Sequence, residues 1–318
     1  MVSVVIPTFQ RESSIARALE GVINQTYSDI EIIVVDDNGE GTEHQLATKH
    51  AVDEVKDSRI RYISHQHNLG GCAARNTGIK NALGDYVGFL DDDDIWSKMF
   101  IEEMLKCFTT DDIGAVYCDF YSYNGIYSYT SKERRNIEGN VYSKVLSGWC
   151  PESTSLFIVK KSKIISVGMF DDSLMSFQDY DMWLRLSQVC EFAHCKKNLV
   201  LKYEGFGEQT SKNPKRRMGG YSQVVKKYSD SLSKSDYDIF LGFIRRFGID
   251  TLYRTIIYKH KHKLDYTNEL KEYFKEKNTT KDKLRLYAEL YLPPKMFAWL
   301  IRKWSRGNFV VYEGKYPV

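Results

Sequence analysis

The chain has 318 residues, 42% of them apolar and 14% aromatic, with six prolines and 45 Lys+Arg against 42 Asp+Glu. This excludes a disordered or collagen-like protein, and the length suggests about two domains. Charge divides unevenly, net −6 over residues 1–225 and +9 over residues 226–318; with the polar, turn-rich stretch 210–220, this predicts a boundary near 215 and a basic helical region over 216–318.

Met1 to Pro7 carries neither a basic leader nor a cleavage site, and no stretch of about 18 apolar residues runs uninterrupted, so the expectation is a cytoplasmic protein without a spanning helix. Val2 to Ile6 reads as a β-branched strand ended by Pro7. A helix follows over 13–25, with Ile15, Ala18, Leu19, Val22 and Ile23 at helical spacing. Ile30 to Val35 is too short for a helix and closes on Asp36-Asp37-Asn38-Gly39, a strand end and turn. A helix over 42–55, a strand over 59–63, a Gly-Gly loop, a helix over 71–82 and a strand over 85–90 continue the rhythm. Such alternation predicts an α/β fold with a mostly parallel, Rossmann-like sheet flanked by helices. Ligands gather beyond the carboxyl ends of such strands, here at residues 7–11, 36–39 and 91–94.

The last of these loops is Asp91-Asp92-Asp93-Asp94. Four successive carboxylates repel one another, and a hard divalent cation such as Mn²⁺ or Mg²⁺ relieves that repulsion. Six cysteines, at 72, 107, 118, 150, 190 and 195, form no Cys-x-x-Cys pair and read as reduced, mostly buried thiols. His65 and His67 read as surface residues for want of a third ligand nearby.

Val2 to Phe9, Asn24-Gln25-Thr26-Tyr27, Val34 to Asp37, Asn68-x-Gly70 with Ala74-Arg75-Asn76-x-Gly78, and Phe89 to Asp94 together resemble the nucleotide-sugar-binding half of a family 2 glycosyltransferase. The resemblance covers roughly residues 1–210. It implies a GT-A fold over 1–215, with donor binding over 1–110 and the acceptor side and base over 111–215. It also implies a UDP-sugar donor, with Pro7, Thr8, Phe9 and Arg11 lining the uridine pocket, Asp37 on the uracil imide, and Arg75, Asp91 and Asp92 on the nucleotide and sugar. Asp93, with Asp91, would hold the metal.

Further on, Gln178-Asp179-Tyr180-Asp181-Met182-Trp183 resembles the family's Glu-Asp-x-Asp-x-Trp segment, with Gln178 in place of the usual Glu. The resemblance makes Asp179 the base of an inverting transfer to a glycan hydroxyl, in bacterial surface polysaccharide synthesis. Trp149, whose flat indole suits a sugar face, joins Gln178 and Asp181 as an acceptor-side candidate. After Pro293-Pro294, Phe297, Leu300, Ile301 and Trp304 form an apolar stripe opposite basic residues. That pattern suits a membrane surface carrying a lipid-linked acceptor, a dimer contact, or packing onto the main domain. No recognition motif points to nucleic acid. A sugar nucleotidyltransferase and a catalytically silent nucleotide-sugar-binding module stay open as alternatives.

Overall fold

The computed structural model describes residues 1–123, 128–131, 137–203, 213–261, 263, 267–268, 271–272, 286 and 309–312. The first 90 residues fold as β1 (Val2–Thr8), α1 (Glu12–Ile23), β2 (Ile30–Asp36), α2 (Glu43–Asp53), β3 (Ile60–Ser64), α3 (Gly71–Asn81) and β4 (Tyr86–Phe89). β1 pairs in parallel with β2 and β4, and β2 with β3. The continuous β-branched runs of β1 and β2 are buried on both faces, as interior parallel strands require. Successive residues face opposite layers: Val5, Ile33 and Val35 join one core, Val4, Ile6, Ile32 and Val34 the other. The helix α3 lies flush on β1 because residue 78 is glycine; a Cβ there would come within 2.2 Å of Val5 Cγ1.

The remainder builds β5 (Ile95–Trp96), α4 (Phe100–Leu105), β6 (Ile113–Tyr123), β7 (Ser128–Ser131), α5 (Tyr142–Leu146), β8 (Phe157–Lys160), α6 (Lys161–Ser166), α7 (Gln178–Leu186), β9 (Glu191–Tyr203), α8 (Pro214–Ser229), α9 (Lys234–Lys261) and β10 (Phe309–Tyr312). Among the described residues the sheet runs β10-β7-β6-β8-β4-β1-β2-β3, with β9 joining β6 and β5. β8 enters antiparallel between β4 and β6. This insertion fuses the second half of the chain to the first in one sheet.

One face of the sheet is covered by α1 and α4. The other carries α3, α5 and α7 together with Val224 and Tyr228 of α8 and Phe240 and Phe243 of α9. Tyr180 of α7 stacks on Phe243 at 4.2 Å between centroids, and Phe177 meets Phe247 edge-on at 5.2 Å. The predicted division at 215 therefore does not follow the packing. The charge shift suggested it, whereas α8 and α9 bury aromatic side chains in the core that also holds α7. The stripe at 297–304 lies outside the described residues. Among the described residues, no helix is long and apolar enough to cross a membrane.

Candidate active site

The loops at the carboxyl ends of β1, β2 and β4 meet, as the parallel pairing demands. Between β1 and α1, Gln10 adopts a left-handed conformation (φ 53°) and donates its N–H to Asn38 Oδ1 at 2.7 Å, tying this loop to the turn after β2. Pro7 and Thr8 end β1, with Thr8 buried, while Phe9 is 42% exposed at the rim. Arg11 reaches across to the acidic loop, 2.9 Å from Asp92 Oδ1 and 2.5 Å from Asp93 Oδ2.

Asp36 and Asp37 have separate duties. Asp36 is fully buried and accepts from Asn38 N–H at 2.8 Å and the Tyr62 hydroxyl at 2.5 Å, which shapes the turn. Asp37 is 2% exposed; Oδ1 accepts from Leu69 N–H at 2.8 Å and lies 2.7 Å from His65 Nδ1, while Oδ2 accepts from Gly70 N–H at 2.7 Å. The surface reading of His65 is thereby corrected. Its ring is buried, because Asp37 and Thr77 (2.9 Å from Nε2) satisfy both nitrogens; His67 is exposed, as expected.

Arg75, on α3, forms an ion pair with Asp91. Behind Asp91 stands the turn preceding β8. Ser155 Oγ accepts from Asp91 N–H at 3.0 Å, and the Ser153 and Thr154 hydroxyls donate to the Asp91 carboxylate at 3.4 Å each. Burial pushes the Asp91 carboxyl up, but Arg75 more than offsets this and holds it below the usual range. Asp92 and Asp94 go the other way. Burial raises Asp92 to about 7 despite Arg11, and burial with the Asp91 charge raises Asp94 to about 8. Burial and Asp91 raise Asp93 too. Two guanidiniums thus balance a loop whose own carboxylates disfavour ionising together.

Such a hard-oxygen set suits Mg²⁺ or Mn²⁺. Among the described residues no three side-chain ligands converge on one point. The fit is to a cation held by one or two carboxylates and completed by phosphate oxygens, the coordination usual for these ions at nucleotides.

Asp179 occupies the first turn of α7, half-buried, and among the described residues its carboxylate accepts no hydrogen bond. Its charge is felt at Arg75, Cys72, Cys150 and Arg217. The preceding Phe177 is left-handed (φ 63°), turning the chain sharply into the helix. Of the acceptor-side candidates, Gln178 spends its amide on Leu174 C=O at 2.7 Å. Trp149 packs edge-on against Tyr117 at 5.4 Å, on the border of the core. Asp181 requires correction: it is fully buried, bound to Arg185 (2.7 Å), Lys227 (2.7 Å) and the Tyr228 hydroxyl (2.6 Å), and faces the interior instead of an acceptor.

Asn76 also belongs to this construction and escaped the sequence reading. Its amide donates to Phe170 C=O at 2.8 Å and accepts from Phe170 N–H at 3.0 Å, fastening α3 to the chain that leads into α7. Its place in Ala-Arg-Asn-x-Gly was visible; its partner, 94 residues away, was not.

Residues 3–174, more than half of the chain, match the family model described as glycosyl transferase family 2. An uncharacterized glycosyltransferase of Rickettsia felis is 30% identical over 236 residues, 70% of this chain but only 36% of that protein. The putative colanic acid biosynthesis glycosyl transferase WcaA of Escherichia coli K12 is 27% identical over 262 residues, 76% of this chain and 86% of WcaA. The UDP-Glc:alpha-D-GlcNAc-diphosphoundecaprenol beta-1,3-glucosyltransferase WfgD of Escherichia coli is 32% identical over 120 residues, 38% of this chain and 46% of WfgD.

Two solved structures are similar in fold. Residues 1–349 of S. aureus TarS, in complex with UDP-GlcNAc, superpose with a TM-score of 0.59 at 16% identity, over 96% of this chain and 87% of that one. The mannosyltransferase PcManGT of Pyrobaculum calidifontis, in complex with GDP-Man and Mn²⁺, gives 0.59 at 15% identity over the same shares, 96% and 87%. The mixed, mostly parallel sheet flanked by helices is the GT-A fold, and by its sequence the chain belongs to glycosyl transferase family 2.

Proposed function

We propose that this glycosyltransferase moves a hexose or N-acetylhexosamine from a UDP-sugar to a glycan hydroxyl with inversion at the anomeric carbon. The observation that carries this reading is Asp179, a carboxylate without a hydrogen-bonded partner among the described residues, close enough for its charge to reach Arg75, which pairs with Asp91 of the acidic loop. Pro7, Thr8, Phe9, Arg11 and Asp37 would receive the uridine, and Arg75, Asp91 and Asp92 the ribose, diphosphate and sugar. A divalent cation on Asp93 and Asp91 would supply Lewis-acid stabilisation of the departing diphosphate.

In the reaction, Asp179 takes the acceptor hydroxyl proton while the oxygen attacks the anomeric carbon and the bond to UDP breaks. A single in-line displacement inverts the configuration. Arg75, close to both Asp91 and Asp179, orients donor and base toward one another. The UDP-GlcNAc held by TarS, the diphosphoundecaprenol acceptor in WfgD's name and WcaA's tie to colanic acid support a UDP donor and a lipid-linked acceptor. They also support a role in bacterial surface polysaccharide assembly.

The test is a panel of nucleotide sugars incubated with the protein and Mn²⁺, Mg²⁺ or EDTA, read by released nucleoside diphosphate. One UDP-sugar should release UDP in a metal-dependent way, and Asp179→Asn should slow turnover by about 10²–10⁴-fold while UDP affinity is kept. Pyrophosphate as product, or undiminished turnover by D179N, would overturn the reading.

A further inference from the structure

We infer that His65 is a specificity-positioning residue: it orients the Asp37 carboxylate so that the donor site favours a base whose pairing edge offers an N–H, uracil, over one that offers an acceptor nitrogen there, cytosine. The inference rests on the reading of Asp37 as the group that meets the base.

His65 follows β3 directly, and its own N–H donates to Asp36 C=O at 2.8 Å, so its backbone is anchored to the strand that carries Asp37. The ring is 8% exposed. Nδ1 lies 2.7 Å from Asp37 Oδ1 and Nε2 2.9 Å from the Thr77 hydroxyl, two residues along α3 from Arg75. An ionised Asp37 can only accept, which assigns the proton to Nδ1 and lets Nε2 accept from Thr77. Among the described residues no Lys or Arg pairs with Asp37. Its orientation is fixed by the imidazole and by the Leu69 and Gly70 amides.

A carboxylate offers about four lone-pair directions. On Asp37, Oδ1 receives two donors and Oδ2 one, which leaves a single acceptor direction on Oδ2. An imide N–H can use it; the N3 lone pair of cytosine is repelled by it. If the carboxylate turned about its Cβ–Cγ bond, the open direction would move off the base and discrimination would fade. The imidazole, braced by Thr77 on the helix that also carries Arg75, adds to the Leu69 and Gly70 amides in resisting that rotation and links reading of the base to the diphosphate side of the site.

Asparagine and glutamine separate the two nitrogens. His65→Asn places an amide N–H near Nδ1 and keeps the bond to Asp37, whereas His65→Gln reaches toward Thr77 and loses it. The experiment is calorimetric titration of the full chain and both variants with UDP and with CDP in Mn²⁺, with thermal melts alongside. The wild type should bind UDP more tightly than CDP; H65N should keep that ratio within about threefold, and H65Q should narrow it by about tenfold or more. Equal weakening of UDP and CDP in H65Q, with the ratio unchanged, would reduce His65 to a packing residue and overturn the inference while leaving the donor reading intact. A wild type that binds UDP no better than CDP would instead remove Asp37 from base recognition and take the inference with it.

Discussion

Asp179 and Asp181 sit two positions apart in the first turn of α7 and meet opposite environments, since a helix turns about 100° per residue. The first is half-buried and close enough to Arg75 for its charge to act there. The second points into the molecule, where Arg185, Lys227 and the Tyr228 hydroxyl enclose it. Removing one member of a buried pair leaves the other charge uncompensated and typically costs about 3–5 kcal/mol. Asp181→Asn should therefore lower the denaturant midpoint markedly. By contrast, Asp179→Asn breaks no hydrogen bond among the described residues and should shift stability by less than about 0.5 kcal/mol. Parallel urea unfolding of the two variants checks this, and similar losses would mean that Asp179 too is structural. The family resemblance put both carboxylates on the acceptor side. In a nine-residue helix entered from a left-handed phenylalanine, spacing does not say which face is buried.

The strands are joined by polar pins as well as by the sheet itself, and Glu31 is the clearest. From the start of β2 it accepts from the Ser3 hydroxyl of β1 at 2.6 Å, Leu83 N–H at 2.5 Å and Arg61 of β3 at 3.0 Å. Burial alone would raise its carboxyl, but the Ser3, Leu83 and Arg61 bonds outweigh burial and hold it below the ordinary 4.5. Ionised Glu31 thus contributes stability that is present above the unfolded value and lost as pH falls through the depressed folded value. Glu31→Gln should destabilise by about 1–3 kcal/mol near neutrality. The gap to wild type should narrow as pH falls past the ordinary carboxyl value and close only below the depressed folded value. Melting curves over a series of falling pH measure it, and a gap that did not narrow in acid would assign the effect to shape instead of charge. The βα repeat to which Glu31 belongs was legible because parallel strands are short β-branched runs with helical spacing between them. The strands β6, β8 and β9 were not. Their pairing brings Ala115 beside both Val159 and Phe192, and no local period encodes contacts at such separations.

The C-terminal helices carry part of the charge asymmetry and also pack on the rest of the molecule. A tail of net +9 reads as an appendage, yet α8 presses against the segment that leads into Asp179. The Ser176 hydroxyl donates to Arg216 C=O at 3.2 Å, and a Cβ on Gly220 would lie 2.2 Å from that hydroxyl oxygen. Arg217 lies over the Phe177 ring at 4.9 Å and pairs with Asp250 of α9. Together, Val224, Tyr228, Phe240 and Phe243 add four buried side chains to the core beneath α7. At about 1.5–3 kcal/mol for each large apolar side chain, their removal forfeits an amount comparable to the whole stability of an ordinary domain, about 5–15 kcal/mol. A chain ending at residue 213 should therefore lose cooperative unfolding as well as the geometry around Asp179. Circular dichroism melts of residues 1–213 against the full chain test this, with UDP titration as a second readout. A truncated chain that melted in one sharp transition within a few degrees of the full chain would restore the boundary at 215. If it fails as expected, the proposed base Asp179 is held in place by helices from beyond the predicted boundary.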